Sequence, residues 1–262
     1  MQEIAPTTVS SRRRWLRRLL LGAPFAAAGY GFGVEPRLLR TRRLRIGHEP
    51  STRFAFFTDL HFKGHPGLLD RVLARMRQAQ PDFVVFGGDL VEERQHLRPV
   101  LDKLSAIGRP LYGVPGNHDY WSGIDFDPVH RAFEATGGGW LLDRAIELTT
   151  ATGGRIRIAG HTCNTDQVIA PEPGMKNLGL IHYPAWADRL PSGFDLILAG
   201  HSHGGQVRVP GVGALITPMG TGPYSWGRYR TPGGPLYVSS GIGTFFLNVR
   251  FLCPPEWVLV EV

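Results

Sequence analysis

A chain of 262 residues, 42% of them hydrophobic and 34 of them glycine, is long enough for one sizeable buried core and short for two full domains. Its formal charge of +7 is concentrated at one end: residues 1–45 hold ten arginines against Glu3 and Glu35, a net of +8, leaving 19 basic and 20 acidic side chains for the rest. A nearly neutral body lacks the basic face with which nucleic-acid-binding domains displace phosphate counterions, so nucleic acid as the main partner is not supported.

The first element in the chain is an address rather than a fold. Ser11-Arg12-Arg13-Arg14-Trp15-Leu16-Arg17 precedes an uncharged stretch, Leu19 to Val34, rich in Ala and Gly. This resembles a twin-arginine export signal and implies the twin-arginine machinery as a partner, with a periplasmic, cell-wall or outer inner-membrane-face location. Sixteen uncharged residues fall short of the roughly 20 that span a bilayer as helix, and Pro24 and four glycines weaken a helix further. Cleavage, with Ala26-Ala27-Ala28 offering small residues, and membrane association through a short retained anchor are both open. The expected division is residues 1–35 for this segment and 36–262 for the folded domain.

Leu44 and Ile46 alternate with Arg43 and Arg45 as on a half-buried strand. Phe54 to Thr58 reads as a second strand, followed by a helical stripe of Leu68, Leu69, Val72, Leu73 and Met76 that Pro81 stops. Phe83 to Phe86 is the next strand, with a helix through Leu97, Val100, Leu101 and Leu104; then come a strand at Leu111 to Val114 and a helix near Pro128 to Ala135. Helices become scarce after this. Arg155 to Ala159, Leu178 to Ile181, Leu196 to Ala199, Gln206 to Val209, Leu236 to Ser239 and Trp257 to Val260 read as strands. The pattern predicts an α/β fold of two packed mixed β-sheets flanked by helices.

Polar residues cluster where these strands end, the edge at which α/β sheets bind ligands. Five ends read Asp59-Leu60-His61, Gly87-Gly88-Asp89, Gly116-Asn117-His118-Asp119, His182 and Gly200-His201-Ser202-His203-Gly204. One such residue caps a turn; five ends in succession are hard to explain by capping. Carboxylate oxygens and imidazole nitrogens suit Mn, Fe, Zn or Co, and a carboxylate can bridge two such ions. Cys163 and Cys253 form no CxxC pair, so neither a zinc ribbon nor a disulfide framework is indicated; two buried free thiols are the simpler expectation, with a single bridge chemically permitted. His48, His65, His96, His130 and His161 fall outside these motifs and read as solvated or hydrogen-bonded residues, with His161 held in reserve because a strand precedes it. Lys63, Arg228 and Arg250 could meet a phosphate or serve as surface and packing residues.

In order and spacing these motifs resemble the calcineurin-like metallophosphoesterase superfamily, from about Phe54 to the C-terminus. Gly204-Gly205-Gln206, Ser240-Gly241-Ile242-Gly243 and Arg250 to Glu256 resemble its bacterial exported or membrane-associated branch. The resemblance implies an αββα sandwich holding two divalent metal ions. Asp59, His61, Asp89 and His203 would hold the first ion, and Asp89, Asn117, His182 and His201 the second, with Asp89 bridging. His118 would face the phosphate and leaving group. Glu92 stands where the family commonly has an Asp that orients this histidine, one methylene longer. The implied activity is hydrolysis of a phosphate diester or monoester by metal-bound hydroxide, with His118 protonating the departing oxygen. Two alternatives stay open: a membrane-surface pyrophosphatase on a nucleotide-linked lipid such as UDP-diacylglucosamine, and a catalytically silent envelope interaction module on the same fold.

Overall fold

The computed structural model describes residues 22–47, 50–150 and 153–262; the Ser11 to Arg17 motif and His48 lie outside them. The first sheet has the strand order β1(Arg40–Arg45), β14(Glu256–Glu261), β2(Arg53–Phe57), β3(Phe83–Phe86), β4(Leu111–Gly113), β5(Gly139–Trp140). β2 to β5 run parallel, β14 is antiparallel to β2, and β1 pairs parallel with β14. The second sheet has the order β12(Gly227–Thr231), β13(Gly234–Val238), β9(Leu196–Ala199), β8(Lys176–Leu180), β7(Arg155–Gly160), β6(Arg144–Thr149). Its central strands are parallel and its two edge strands antiparallel to their neighbours. A small hairpin, β10(Arg208–Val209) with β11(Gly213–Ala214), stands apart.

The period of two in each strand divides the apolar residues between layers. Phe54 and Phe56 of β2, with Phe83 and Val85 of β3, point between the sheets and meet Ile156, Ile158, Leu178, Leu196 and Val258. Ala55, Phe57, Val84 and Phe86 point the other way, onto α1(Gly67–Ala79), α2(Leu97–Ser105) and α4(Phe126–Glu134) through Val72, Met76, Val100, Leu104 and Phe133. On the outer face of the second sheet Ile197, Ala199, Leu236 and Val238 pack on Ala187 and Leu190, with the 3-10 turn Pro184–Arg189 in place of long helices. The expected two mixed sheets with flanking helices are therefore present, with the α-helices on the first sheet and the 3-10 turn on the second.

Besides the two-residue β11 of the hairpin, three strands escape the sequence pattern for one reason. β5, β6 and β12 are edge strands, with β5 only two residues long and with β6 and β12 alternating half-buried and exposed positions such as Glu147, Arg228 and Arg230. An edge strand needs no continuous apolar run, and charge along it discourages pairing with other chains.

Residues 30–37, most of them in the segment assigned by sequence to the leader, lie against the C-terminal loop. Glu35 is buried, and its carboxylate accepts the backbone N–H groups of Leu252 and Cys253, the first at 2.9 Å. The Gly31 carbonyl accepts from Arg250 N at 2.9 Å, and the Tyr30 ring meets Phe251 edge-on at 6.2 Å. Residues 22–29 are helical and almost wholly exposed. Among the described residues no helix is long and apolar enough to cross a membrane.

Glu35→Ala leaves two backbone donors without a charged acceptor, and we expect it to lower the unfolding free energy by about 3 kcal/mol in urea titration. Deleting residues 1–28 leaves the urea midpoint where it is, whereas deleting residues 1–37 lowers it at least as far as Glu35→Ala. An unchanged midpoint in Glu35→Ala means that the docked segment is an ornament of the fold.

Candidate metal centre

The carboxyl ends of parallel strands from both sheets converge on one region. β2 delivers Asp59 and His61, β3 Asp89, and the loop after β4 Asn117, which opens α3(Asn117–Trp121); from the second sheet, β8 delivers His182 and β9 His201 and His203. All seven side chains belong to buried residues. Five of these residues, Asp59, His61, Asp89, His201 and His203, have φ between 42° and 66°. Asp and His tolerate this left-handed region better than most residues, yet strain of this kind persists only where the surroundings fix it, and it collects at functional sites. Glycines make room for the turns: a Cβ on Gly116 would lie 2.1 Å from Asp89 Oδ1, and one on Gly200 would lie 2.1 Å from Thr58 Oγ1 and 2.6 Å from Asp59 Oδ2.

Asp89 sits between the two halves. Its Oδ2 lies 3.3 Å from His61 Nε2 and 3.3 Å from His182 Nε2, while Oδ1 accepts the His118 N–H at 2.8 Å. His61 Nε2 faces His203 Nε2 at 2.9 Å, and His203 Nε2 is 3.8 Å from Asp59 Oδ1. On the other side Asn117 Oδ1 is 3.1 Å from His182 Nε2. Two buried donor groups follow, Asp59-His61-Asp89-His203 and Asp89-His182-His201, with a third, His61-Glu92-His118, at the rim, each with its ligand atoms within 4.8 Å of one another. Buried nitrogens and carboxylate oxygens converging in this way could hold a metal cation, and Asp89 belongs to both buried groups.

Hydrogen bonds behind the ligand atoms set the rings. His182 Nδ1 donates to the Gly87 carbonyl at 2.8 Å, which turns Nε2 inward; His201 Nε2 donates to the Met219 carbonyl at 2.7 Å, which leaves Nδ1 for the centre. The Asp119 carboxylate accepts the N–H groups of Gly116, Asp89 and Leu90 at 2.8 to 2.9 Å, tying the β3 and β4 loops together.

Charge in the centre is unevenly shared. Burial alone would lower the His61 and His182 pKa values, but contacts with Asp89 outweigh it and push them up to about 10 and about 9. Burial would raise Asp89, and the facing imidazoles instead hold it well below the usual carboxylate range. Burial pushes His201 down to about 3, helped by repulsion from His182. Metal cations would compete with protons for His61 and His182, so metal uptake here would release protons.

His118 and Glu92 stand at the rim. His118 Nδ1 is 3.0 Å from Glu92 Oε2, and Glu92 Oε1 lies 2.5 Å from His61 Nδ1, an ion-pair contact with poor hydrogen-bond angles. Burial would raise the Glu92 pKa, but the two imidazoles hold it well below its ordinary value. The extra methylene of glutamate thus lets one carboxylate reach both rings.

Other candidates fall away from the centre. His161 is buried with Nε2 accepting from Ile169 N at 3.0 Å; Arg250 is fully buried and donates to the carbonyls of Cys253, Ser240, Gly241 and Gly243. Arg228 is exposed on β12, and Lys63 Nζ donates to the Thr244 carbonyl at 3.0 Å. Cys163 and Cys253 are free thiols, the former only partly buried. Sequence gave no sign of Phe245 and Trp121, whose rings lie 5.0 and 4.9 Å from His118, or of the Met219 carbonyl behind His201. These positions come from loops and a short helix without period, and no local pattern marks them.

Residues 52–205 match the calcineurin-like phosphoesterase family, and the chain belongs to that family. It is 29% identical over 278 residues to the uncharacterized metallophosphoesterase YkuE of Bacillus subtilis, covering 94% of this chain and 95% of that one. It is 26% identical over 271 residues to the phosphodiesterase YaeI of Escherichia coli, covering 96% and 99%. A dimetal phosphatase from Danio rerio aligns over 74% of this chain and 88% of its own, at 12% identity and a TM-score of 0.45. The protein is a metal-dependent phosphoester hydrolase, of a family that works with a binuclear metal centre.

Proposed function

We propose that the chain hydrolyses phosphate esters, diesters before monoesters, at a centre of two divalent cations. Asp59, His61, Asp89 and His203 hold one cation; Asp89, Asn117, His182 and His201 hold the other. The observation that carries this is that the two buried donor groups share the Asp89 carboxylate. The donors suit Mn, Fe, Zn or Co. Bound there, the cations supply polarisation of the phosphoryl oxygens and activation of a water.

The chain's own contribution beyond holding cations is proton transfer. Glu92 accepts from His118 Nδ1, which orients the ring and leaves Nε2 to give a proton to the departing oxygen. Trp121 and Phe245 flank the ring and shield it from bulk water. The name of the Escherichia coli relative, a phosphodiesterase, favours the diester.

The full chain supplied with Mn, Fe, Zn or Co should hydrolyse nitrophenyl and alkyl phosphodiesters, and turnover of neither with any of the four contradicts the proposal. Positioned general acids contribute roughly 10² to 10⁴ in rate, and a nitrophenolate needs little protonation to leave. His118→Asn should therefore slow alkyl esters by about that factor and nitrophenyl esters far less, with Glu92→Gln giving a milder loss of the same kind. Equal slowing of both ester classes would reassign His118 to phosphate positioning.

For the location we propose export by the twin-arginine route to the periplasm, cell wall or outer face of the inner membrane, with membrane contact through the N-terminus if the segment is retained. Support comes from Ser11 to Arg17 and the uncharged stretch that follows. Replacing Arg12 and Arg13 by Lys should leave active protein in the cytoplasm on fractionation, and unchanged export speaks against the route.

A further inference from the structure

Two cavities, one apolar and one basic, each have a metal-centre histidine among their lining residues. The apolar one is a groove of about 440 Å³ between Leu215 and Ile216 on one side and Phe245, Phe246 and Leu247 on the other, with His203 in its wall. The basic one, about 670 Å³, includes His61, Arg37, Lys63, His65 and Arg71, and no acidic residue lines it among the described residues. Thr244 lines the basic cavity and its neighbour Phe245 lines the groove, the Phe245 ring 6.3 Å from that of His61, 6.5 Å from that of His203 and 5.0 Å from that of His118.

The walls of the groove are fastened to the centre. Gln206, three residues after His203, accepts the Phe245 N–H at 2.6 Å and donates to the carbonyls of Leu247 and Val249. The loop carrying Leu215 and Ile216 continues to Met219, whose carbonyl accepts from His201 Nε2. The hydrocarbon held out by these loops stands in water: Ile216 is 80% exposed, Phe246 83% and Met219 95%. Scattered exposed apolar residues are ordinary, but a contiguous group around a concave opening marks a binding site.

We propose that this groove binds the hydrocarbon chain of an amphiphilic phosphoester, with the anionic end of the same molecule reaching the basic cavity past the Thr244-Phe245 segment. The inference rests on the phosphoester reading of the metal centre and narrows its substrate class. Two features select a single chain over a flat bilayer surface: the groove is a concave cavity, and His203 of the centre is one of its lining residues. Charge complementarity sets the direction, since a phosphate at the centre has apolar surface on one side and cationic side chains on the other.

Full burial of one methylene is worth up to roughly four-fold in affinity. For the full chain loaded with Mn, calorimetry with methyl, butyl and octyl phosphate below their micelle-forming concentrations should show Kd falling at least ten-fold from methyl to octyl. The kcat/KM values of the matching 4-nitrophenyl alkyl phosphodiesters should rise in parallel. Ile216→Ser and Leu247→Ser should flatten both series, read as octyl-to-methyl ratios so that a general loss of activity cancels. A Kd series that falls with chain length while no diester is turned over upholds the groove and sinks the hydrolytic reading. Turnover of the methyl diester with both series flat in the unsubstituted protein overturns the groove. Flat series together with binding to phosphatidylglycerol vesicles also overturn it, and assign the apolar loops to a membrane surface instead.

Discussion

The structure turns on how Asp89 is held. It lies in the loop after β3 in a left-handed conformation, its N–H caught by Asp119 and one carboxylate oxygen caught by the His118 N–H, so its other oxygen is presented to His61 and His182 at equal distance. A buried carboxylate without such partners would be expensive and would take up a proton. Everything around it contributes to keeping it charged and placed: Gly116 leaves the space, Asp119 ties two loops, and two sheets bring imidazoles from opposite sides.

This arrangement explains why the fold needs two sheets. The first sheet supplies the carboxylates, Asn117 and His61, and the second supplies His182, His201 and His203. Each of the two groups that share Asp89 draws its donors from both sheets. The apolar layer between them, from Phe54 and Phe56 to Ile158 and Leu178, fixes the relative position of the strand ends, so core packing is felt directly in ligand geometry.

Much of this was legible in the sequence because both signals have a fixed period or a fixed place. Strands β2, β3, β8, β9 and β14 are short apolar runs, α1 and α2 are stripes of Leu, Val and Met, and the Asp, Asn and His residues follow strand ends at once. The seven residues singled out do meet in one buried region, which their strand-end positions foreshadow; their roles as ligands stay part of the proposal. What was illegible depends on contacts distant in sequence. Edge strands such as β6 and β12 carry polar residues because one side pairs with nothing. Glu35 reads as part of a leader, and only its buried contact with Leu252 and Cys253, 217 and 218 residues away, makes it part of the body. Phe245 and Ile216 look like ordinary loop hydrophobes until the chain brings them to the edge of the centre.

The central claim is that one carboxylate serves two cations, and metal content tests it most directly. After dialysis against Mn and removal of loosely bound ion, elemental analysis of the unsubstituted protein should give two cations per chain. Asp89→Asn should give fewer than one, because the amide removes the shared charge from both donor groups, while His61→Ala should lose chiefly one. Full double occupancy in folded Asp89→Asn would contradict the shared carboxylate and, with it, the account of the site given by its geometry.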